Sequence, residues 1–378
     1  MSAAGQAYIT GVGAFLPGAP VPSAAMEDHL GRIGGRPSRL GARALRWNGV
    51  ETRHYALTAE GAPTHSNAGM AALAVNAALE DASLSAGDLD FLAAATTQGN
   101  RLVPGHASMV HGELGCGPLE IASFQSVCGA SLMAAKAAYL SVAAGEHRTA
   151  AACASEFSSR WFQPAFYEGS ALVDGKGRLR AEADYLRFTL SDGAGAILVE
   201  PEPKASGLSL RIRFIDITSL AGQFDPCMWA GASLEDRAEP IGGWSHAGPV
   251  AAHAAGGMSL LQDFELLKRV IRAWVGVYLK KVDQGRIVPA EVNHLLCHYS
   301  ARSLREEIVS LLDRTAGMIP EEKWFSNLTT VGNVGSASIW VMLDAFVKSG
   351  RLKRGETVLC VVPESGRSLV GFMLLDAV

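Results

Sequence analysis

Residues 126–131, Ser-Val-Cys-Gly-Ala-Ser, place the thiol of Cys128 between a strand-like run and a helical run of small residues. The pattern predicts a strand at 119–124 and a helix at 132–142, so Cys128 falls at a helix N-terminus. Unpaired backbone N–H groups and the helix dipole favour the thiolate there, and the thiolate is the form that attacks carbonyl carbon. A lone cysteine is more often a small buried apolar residue, so this hypothesis needs further residues in its support.

Two downstream segments supply polar partners for such a cysteine. A mostly apolar run over residues 292–297 ends at His298, and residues 327–338, Asn-Leu-Thr-Thr-Val-Gly-Asn-Val-Gly-Ser-Ala-Ser, precede another helical run. Cysteine, histidine and asparagine thus occur in this order, each at the end of a strand or the start of a helix. Chain order does not establish proximity, so their geometry depends on the fold.

An internal repeat indicates which elements position these residues. Residues 127–154 and 334–362 each show a glycine- and serine-lined helix start, an apolar helix, a short turn and a strand of small or β-branched residues. The two copies are about two hundred residues apart. Duplication of an α/β unit is the simplest interpretation, although small-residue helix starts also occur by coincidence wherever helices pack closely.

Three further segments give the sequence a resemblance to a known family. They are Tyr-Ile-Thr-Gly-Val-Gly-Ala-Phe-Leu-Pro at 8–17, Gly-Val-Glu-Thr-Arg-His at 49–54 and Leu-Ser-Asp-Gly-Ala-Gly-Ala at 190–196. Together with the cysteine and asparagine segments, and in this order, they resemble the β-ketoacyl-ACP synthase III-like condensing enzymes of the thiolase superfamily. The resemblance covers nearly the whole chain.

The resemblance implies a fold, a set of roles and partners. The fold would be α/β, with two pseudo-duplicated halves, 1–203 and 204–378, in a layered α-β-α-β-α arrangement. Cys128 would be the acylated nucleophile, and His298 and Asn333 would hydrogen-bond the thioester carbonyl or the enolate. The substrates would be thioesters of acyl carrier protein or CoA, with no cofactor beyond the carrier's phosphopantetheine, and the protein would be a homodimer.

Composition agrees with a chain that buries a large core. The 378 residues are 48% hydrophobic, and the net charge of −4 gives no preference for nucleic acid. The six cysteines show no C-x-x-C spacing, so we expect neither a zinc site nor a disulfide framework. Residues 1–6 lack the features of a leader, and no apolar stretch reaches membrane-spanning length, so we expect a cytoplasmic protein.

Three poorly periodic insertions and one basic stretch remain. The insertions, residues 26–62, 157–186 and 224–258, are either surface loops or, as this fold favours, the walls of an acyl tunnel or of a dimer contact. Lys268, Arg269 and Arg272 lie in a predicted helix. Such a run is usually a solvated face, and the alternative is binding of an acidic carrier protein or of CoA phosphates.

Two departures from ordinary synthase III sequences add charge. Residues 363–367, Pro-Glu-Ser-Gly-Arg, replace the usual glycine-rich loop, and the strand after the nucleophile helix ends at Glu156. Because the two strand ends are related by the repeat, we predict that Glu156 and Arg367 meet near Cys128 as a buried ion pair. Glu156 would be a base for carbon deprotonation, with Arg367 as its partner. A purely structural pair is the alternative.

These departures make the chain resemble a narrower group, the ketosynthases that form cyclohexane-1,3-diones in dialkylresorcinol and bacterial stilbene biosynthesis. That resemblance implies loading of a 2-enoyl thioester on Cys128 and its condensation with a β-ketoacyl thioester. Three alternatives stay open: a decarboxylative synthase III that uses malonyl-ACP, an acyltransferase to an alcohol or amine, and a noncatalytic partner subunit.

Overall fold

The computed structural model of the protein describes residues 5–239 and 241–378. Residues 1–4, part of the segment on which the expectation of no leader rests, and Pro240, within the third insertion, lie outside the described residues.

Helices and strands alternate along the chain, as the sequence predicts. The strands are β1 Tyr8–Phe15, β2 Val21–Pro22, β3 Thr52–Arg53, β4 Phe91–Thr96, β5 Glu120–Gln125, β6 Ala150–Glu156, β7 Gly193–Glu200, β8 Leu210–Ser219, β9 Met228–Trp229, β10 Leu261–Gln262, β11 His294–Cys297, β12 Trp324–Phe325, β13 Thr357–Glu364 and β14 Leu369–Ala377. The helices are α1 Met26–Leu30, α2 Gly41–Asn48, α3 Asn67–Asp81, α4 His106–Leu114, α5 Ala130–Ala143, α6 Ala181–Arg187, α7 Trp244–Ala247, α8 Pro249–Ala254, α9 Phe264–Asp283, α10 Arg302–Leu312, α11 Leu328–Val331 and α12 Ser338–Lys348. The predicted strand before Cys128 and the predicted helix after it are confirmed as β5 and α5.

Ten strands form one mixed sheet, and their order confirms the duplication. The order is β12-β11-β13-β14-β8-β1-β7-β6-β4-β5, so the five strands on one side of the centre repeat the arrangement of the five on the other side. On each side two strand pairs are parallel, β4 with β5 and β6, and β11 with β12 and β13. In the sheet, the two sides meet where Tyr8 and Ile9 of β1 pair with Arg211 and Leu210 of β8.

Helices α5 and α12 are the central helices of the molecule, and each packs on strands of both halves. Glycines in the strands permit this close approach. A Cβ on Gly195 of β7 would lie 2.4 Å from Cβ of Trp340 in α12, and a Cβ on Gly371 of β14 would lie 2.5 Å from Leu132 in α5. Both helices are therefore fixed at the junction of the halves, with their N-termini held by the packing.

The predicted Asp-Gly-Ala-Gly segment begins β7, and Asp192 at the entry to this strand holds neighbouring loops together. Asp192 is fully buried, and its carboxylate accepts hydrogen bonds from the backbone N–H groups of Ala56, at 2.7 Å, and Ser159, at 2.8 Å. Burial raises the pKa of Asp192 to about 6. Because Ser191 N–H also donates to the Asn333 carbonyl at 2.8 Å, this segment supports one of the predicted site residues directly. Across the described ranges, no helix is both long and apolar enough to cross a membrane.

Candidate active site

Cys128 lies between the end of β5 and the start of α5, and only 6% of the residue is exposed. Its position at the start of a helix confirms the expected placement. The expectation that this place favours the thiolate is wrong for the substrate-free protein. Burial, and then the nearby carboxylates of Glu364 and Glu156, raise the pKa of the Cys128 thiol well above its ordinary value, because each disfavours a negative charge on sulfur.

Two cavities meet at Cys128. The first, which we call the Trp229 cavity, has a volume of about 160 Å³ and is also lined by Glu156 and Asn333. The second, which we call the His298 cavity, has a volume of about 30 Å³ and is lined by His298. The structure therefore brings Cys128 together with Asn333 on one side and with His298 on the other.

The predicted insertions supply most of the apolar wall of the Trp229 cavity. Residues of the second and third insertions that line it are Phe157, Ser158, Arg160, Trp161, Phe162, Met228, Trp229 and Ala230. These two insertions thus border the pocket that contains Cys128, and their role as walls of an acyl tunnel or of a dimer contact stays a prediction.

A third cavity lies next to the His298 cavity. This Phe372 cavity has a volume of about 50 Å³, and almost all of its lining is apolar. It is bounded by α9, α10 and strands β11, β13 and β14. Four residues are common to its wall and that of the His298 cavity: Ile271, Trp274, Ile308 and Pro363. The wall of the His298 cavity on this side is therefore shared with an apolar space.

His298 follows the last residue of β11 and is held there by its backbone. Its N–H donates to the carbonyl of Val361 in β13 at 2.8 Å, which continues the parallel ladder by one residue. The side chain is buried, and burial lowers the pKa of His298 to about 4, so the imidazole is neutral at pH 7. Its Nε2 finds no hydrogen-bond partner among the described residues and is available to a substrate atom.

Asn333 lies in the connection between α11 and α12 and is 2% exposed. Its Oδ1 accepts a hydrogen bond from Gly335 N–H at 2.9 Å and one from Ser338 Oγ at 3.4 Å. These donors hold the carbonyl side of the amide, so the amide N–H₂ group is the part of Asn333 that is free to donate to an oxygen in the Trp229 cavity.

Glu156 ends β6 and lines the Trp229 cavity with its carboxylate buried. Its Oε1 accepts hydrogen bonds from Thr97 N–H at 3.0 Å, Thr97 Oγ1 at 2.7 Å, Ser336 N–H at 3.2 Å and Ser336 Oγ at 2.5 Å. None of these bonds uses Oε2, which leaves that oxygen for a proton. Burial raises the pKa of Glu156, so its carboxylate is a stronger base than an exposed one.

The predicted pairing of Glu156 with Arg367 is wrong. Arg367 is exposed, and its Nε donates to the carbonyl of Phe224 at 3.1 Å, because the turn after β13 directs this side chain outward. The guanidinium whose charge is close enough to act on Glu156 belongs to Arg160, which donates to the carbonyls of Gln98 and Gly99.

The residue that the repeat pairs with Glu156 is Glu364, which the sequence prediction missed. Glu364 ends β13 as Glu156 ends β6. Its Oε2 accepts from Gly129 N–H at 2.8 Å, and Ser126 Oγ donates to both of its oxygens. The repeat carried the signal, since each strand ends in a glutamate that contacts the start of the central helix of the other half.

Lys268, Arg269 and Arg272 lie on the exposed side of α9, and none of them lines the Trp229 or His298 cavity. Lys268 pairs with Glu265 at 2.8 Å, and the Arg269 guanidinium lies 5.9 Å from the centre of the Phe224 ring. The structure therefore places these residues on the surface, away from Cys128.

All six cysteines lie within the described residues and are free. In the ranges 5–239 and 241–378, no group of three or more His, Cys, Asp or Glu side chains is arranged to hold a metal ion. The side chains around Cys128 supply a neutral imidazole, an amide and two carboxylates beside the thiol.

A duplicated α/β sheet with two central helices, and a buried cysteine at the start of one of them, defines a thiolase fold of the synthase III kind. Residues 282–374 match the family described as 3-oxoacyl-[acyl-carrier-protein (ACP)] synthase III C terminal. Solved structures extend the likeness of fold to the rest of the chain.

Three such structures illustrate it. AbyA1, a tetronic acid condensing enzyme, is similar at 20% sequence identity with a TM-score of 0.76, covering 98% of this chain and 99% of that chain. The 3-oxoacyl-(acyl carrier protein) synthase III FabH of Pseudomonas aeruginosa PAO1 is 19% identical, with a TM-score of 0.72 and 98% of each chain covered. A cysteine-to-serine variant of Xanthomonas campestris OleA, with bound lauric acid and lauroyl-CoA, is 18% identical, with a TM-score of 0.73 and coverage of 99% and 100%.

Proposed function

We propose that this protein is a synthase III-like condensing enzyme that joins two thioesters by C–C bond formation. It takes a 2-enoyl group onto Cys128 and condenses it with a β-ketoacyl thioester, giving a 2,5-dialkylcyclohexane-1,3-dione precursor of dialkylresorcinols or stilbenes. The observation that carries the proposal is the position of Cys128 between two cavities, one with a buried carboxylate and the other sharing a wall with an apolar cavity.

The first step is acyl transfer to the cysteine. The Cys128 sulfur attacks the thioester carbonyl, the carbon–sulfur bond of the donor breaks, and the carrier leaves as a thiol. The amide of Asn333, and the imidazole of His298 once it has taken the S–H proton, donate hydrogen bonds that stabilise the oxyanion formed at the carbonyl oxygen.

The second step needs a base, because no carbon dioxide is lost to generate the carbanion. Glu156 takes a proton from the carbon between the ketone and the thioester of the β-ketoacyl donor. That carbon then adds to the β-carbon of the enoyl group on Cys128. The carbon on the far side of the ketone next attacks the Cys128 thioester, which closes a six-membered ring and releases the thiol.

The ring still carries the thioester of the second carrier. Its hydrolysis and the loss of carbon dioxide leave the 2,5-dialkyl-1,3-dione. Glu156 is suited to the proton transfers because its Oε2 is free of protein donors while Oε1 is fixed by Thr97 and Ser336.

The test is product analysis with a 2-enoyl and a β-ketoacyl thioester, each on acyl carrier protein or on CoA. We expect a cyclic dione that carries both alkyl chains. An open β-ketoacyl product formed only with malonyl-ACP would replace this proposal with a decarboxylative synthase. An ester or amide formed from an alcohol or amine would replace it with an acyltransferase, and no acylation of the protein would point to a noncatalytic subunit.

The cavities predict that the two alkyl chains occupy different spaces. Ile308→Phe adds volume to the wall that the His298 and Phe372 cavities share, and Leu260→Phe narrows the Trp229 cavity. We expect each variant to lose about tenfold in kcat/KM for long chains of one substrate while keeping short ones. Competition assays that offer a long-chain and a short-chain form of one substrate together measure this change in kcat/KM. If both variants lose kcat/KM for long chains of the same substrate, the two alkyl chains do not occupy separate cavities.

We further propose delivery of the thioesters by acyl carrier protein or CoA and pairing of two copies along β5. The support for pairing is that β5 is an edge strand of the sheet and exposes Ile121. Light scattering should then give twice the chain mass of 39.7 kDa. A monomer at micromolar concentration would contradict the pairing.

A further inference from the structure

Glu364 occupies the start of the helix that carries Cys128. The carboxylate is 4% exposed, and it accepts a hydrogen bond from Gly129 N–H, the first backbone donor after the cysteine. A Cβ on Gly129 would lie 2.9 Å from Glu364 Oε2, so only glycine permits this approach. The N–H that would otherwise stabilise a sulfur anion is thus already bound to another anion.

Glu364 differs from Glu156 in its relation to the cavities. Glu156 lines the Trp229 cavity, whereas Glu364 lines neither of the cavities that contain Cys128. It is covered by the turn after β13, where a Cβ on Gly366 would lie 3.0 Å from Glu364 Oε1. Glu364 therefore acts on the reaction through Cys128 and not by contact with a substrate.

The charges that face Cys128 are predominantly negative. Glu364 approaches from the end of β13 and Glu156 from the end of β6, while His298, at the end of β11, is held neutral by burial. The guanidinium of Arg160 lies on the Glu156 side, in the Trp229 cavity. The hydrogen bonds of Glu364 come from a serine and a backbone N–H, neither of which carries a positive charge.

We infer that Glu364 is a positioning residue that keeps Cys128 as a neutral thiol until an acyl donor binds. The inference rests on Cys128 being the acylated residue of the proposed function and does not require the ring-forming reaction. In the acylation step the S–H proton moves to Nε2 of neutral His298, which has no partner among the described residues, as sulfur bonds to the carbonyl carbon. The departing carrier thiolate then takes this proton, so the protein regains its starting charge.

Keeping Cys128 protonated before the acyl donor binds protects the thiol from side reactions. A resting thiolate at a cavity open to solvent is prone to alkylation and oxidation, whereas a thiol is not. Condensation by Glu156 also requires that the acyl group stays on the Cys128 sulfur. Because the resulting thioester is neutral, the negative charges of Glu156 and Glu364 do not repel it.

The test is the pH dependence of Cys128 alkylation by iodoacetamide, measured by peptide mass spectrometry without substrate. In the wild type we expect a midpoint above the ordinary cysteine value of about 8.5. In Glu364→Gln, which keeps the size and the acceptor oxygen, the midpoint should fall by about one pH unit or more, because a neighbouring negative charge is removed. Alkylation at pH 7 should then be about tenfold faster.

Ser126→Ala is the matched control, since it removes a hydrogen bond of Glu364 but keeps the charge. Its midpoint should remain at or above that of the wild type. A Glu364→Gln midpoint equal to or above that of the wild type would overturn the inference. If that variant does not fold, the wild-type midpoint decides, because a value at or below about 8.5 contradicts a protected thiol. Since no thioester is used, this outcome is independent of the product assay.

Discussion

Replacing Cys128 with alanine should abolish acylation of the protein and reduce product formation by about a thousandfold or more. The reason is that no other thiol lines either of the two cavities that meet at Cys128. Intact-protein mass spectrometry after incubation with acyl, 2-enoyl and β-ketoacyl thioesters measures the adduct directly. The folded state should persist, because the substitution removes a single sulfur atom from a position between strand and helix.

Cys116→Ala is the matched control, since Cys116 is a half-exposed free thiol outside both cavities. It should acylate and turn over like the wild type. An adduct of equal size on Cys128→Ala would show that another group is loaded, and the roles proposed for His298 and Asn333 would lose their basis.

Replacing Glu156 with glutamine should separate the two steps of the reaction. We expect normal acylation of Cys128 and a loss of about a hundredfold to ten-thousandfold in condensation, because the amide keeps the hydrogen bonds of the site but cannot take a proton from carbon. Single-turnover measurements on the preloaded protein, started by addition of the β-ketoacyl thioester, isolate this step. Wild-type condensation by Glu156→Gln would remove Glu156 as the base.

The pH profile gives a second readout of the same residue. A base must be ionised, and burial raises the pKa of Glu156, so condensation should fall as the pH drops through a value above the ordinary 4.5 of a glutamate. The pKa of His298 is about 4, so it stays neutral over that range. Glu200→Gln serves as the control, because Glu200 ends β7 and hydrogen-bonds Thr10 away from the cavities. Its pH profile should match that of the wild type.

Much of the fold followed from local patterns in the sequence. The small-residue helix starts at 127–132 and 334–339 predicted α5 and α12, and the repeat predicted a duplicated α/β unit, which agrees with the mirrored order of the strands. These patterns can be recognised in the sequence because close packing restricts the first turn of a central helix to small residues. The duplication makes the same pattern appear at two places in the chain.

The electrostatics of the site were harder to predict. The sequence indicated that charge had been added at the ends of β6 and β13, but which side chain of Glu-Ser-Gly-Arg points inward depends on the register of β13. Glu364 is the last residue of that strand and points to α5, whereas Arg367 lies in the turn beyond it. The protonation of Cys128 likewise depends on burial and on neighbours from two distant strands, which local sequence does not contain.

The carboxylates of Glu156 and Glu364 also link the assembly of the active site to the contact between the two halves. Glu156 extends from the first half to Ser336 in the second, and Glu364 extends from the second half to Gly129 in the first. The halves share only a short contact between β1 and β8 in the sheet, so these reciprocal bonds hold both helix starts across the junction. A fluctuation that opens the junction breaks both together, and neither half by itself retains a complete set of reactive groups. The reactivity of the Cys128 thiol therefore reports whether the contact between the two halves is intact.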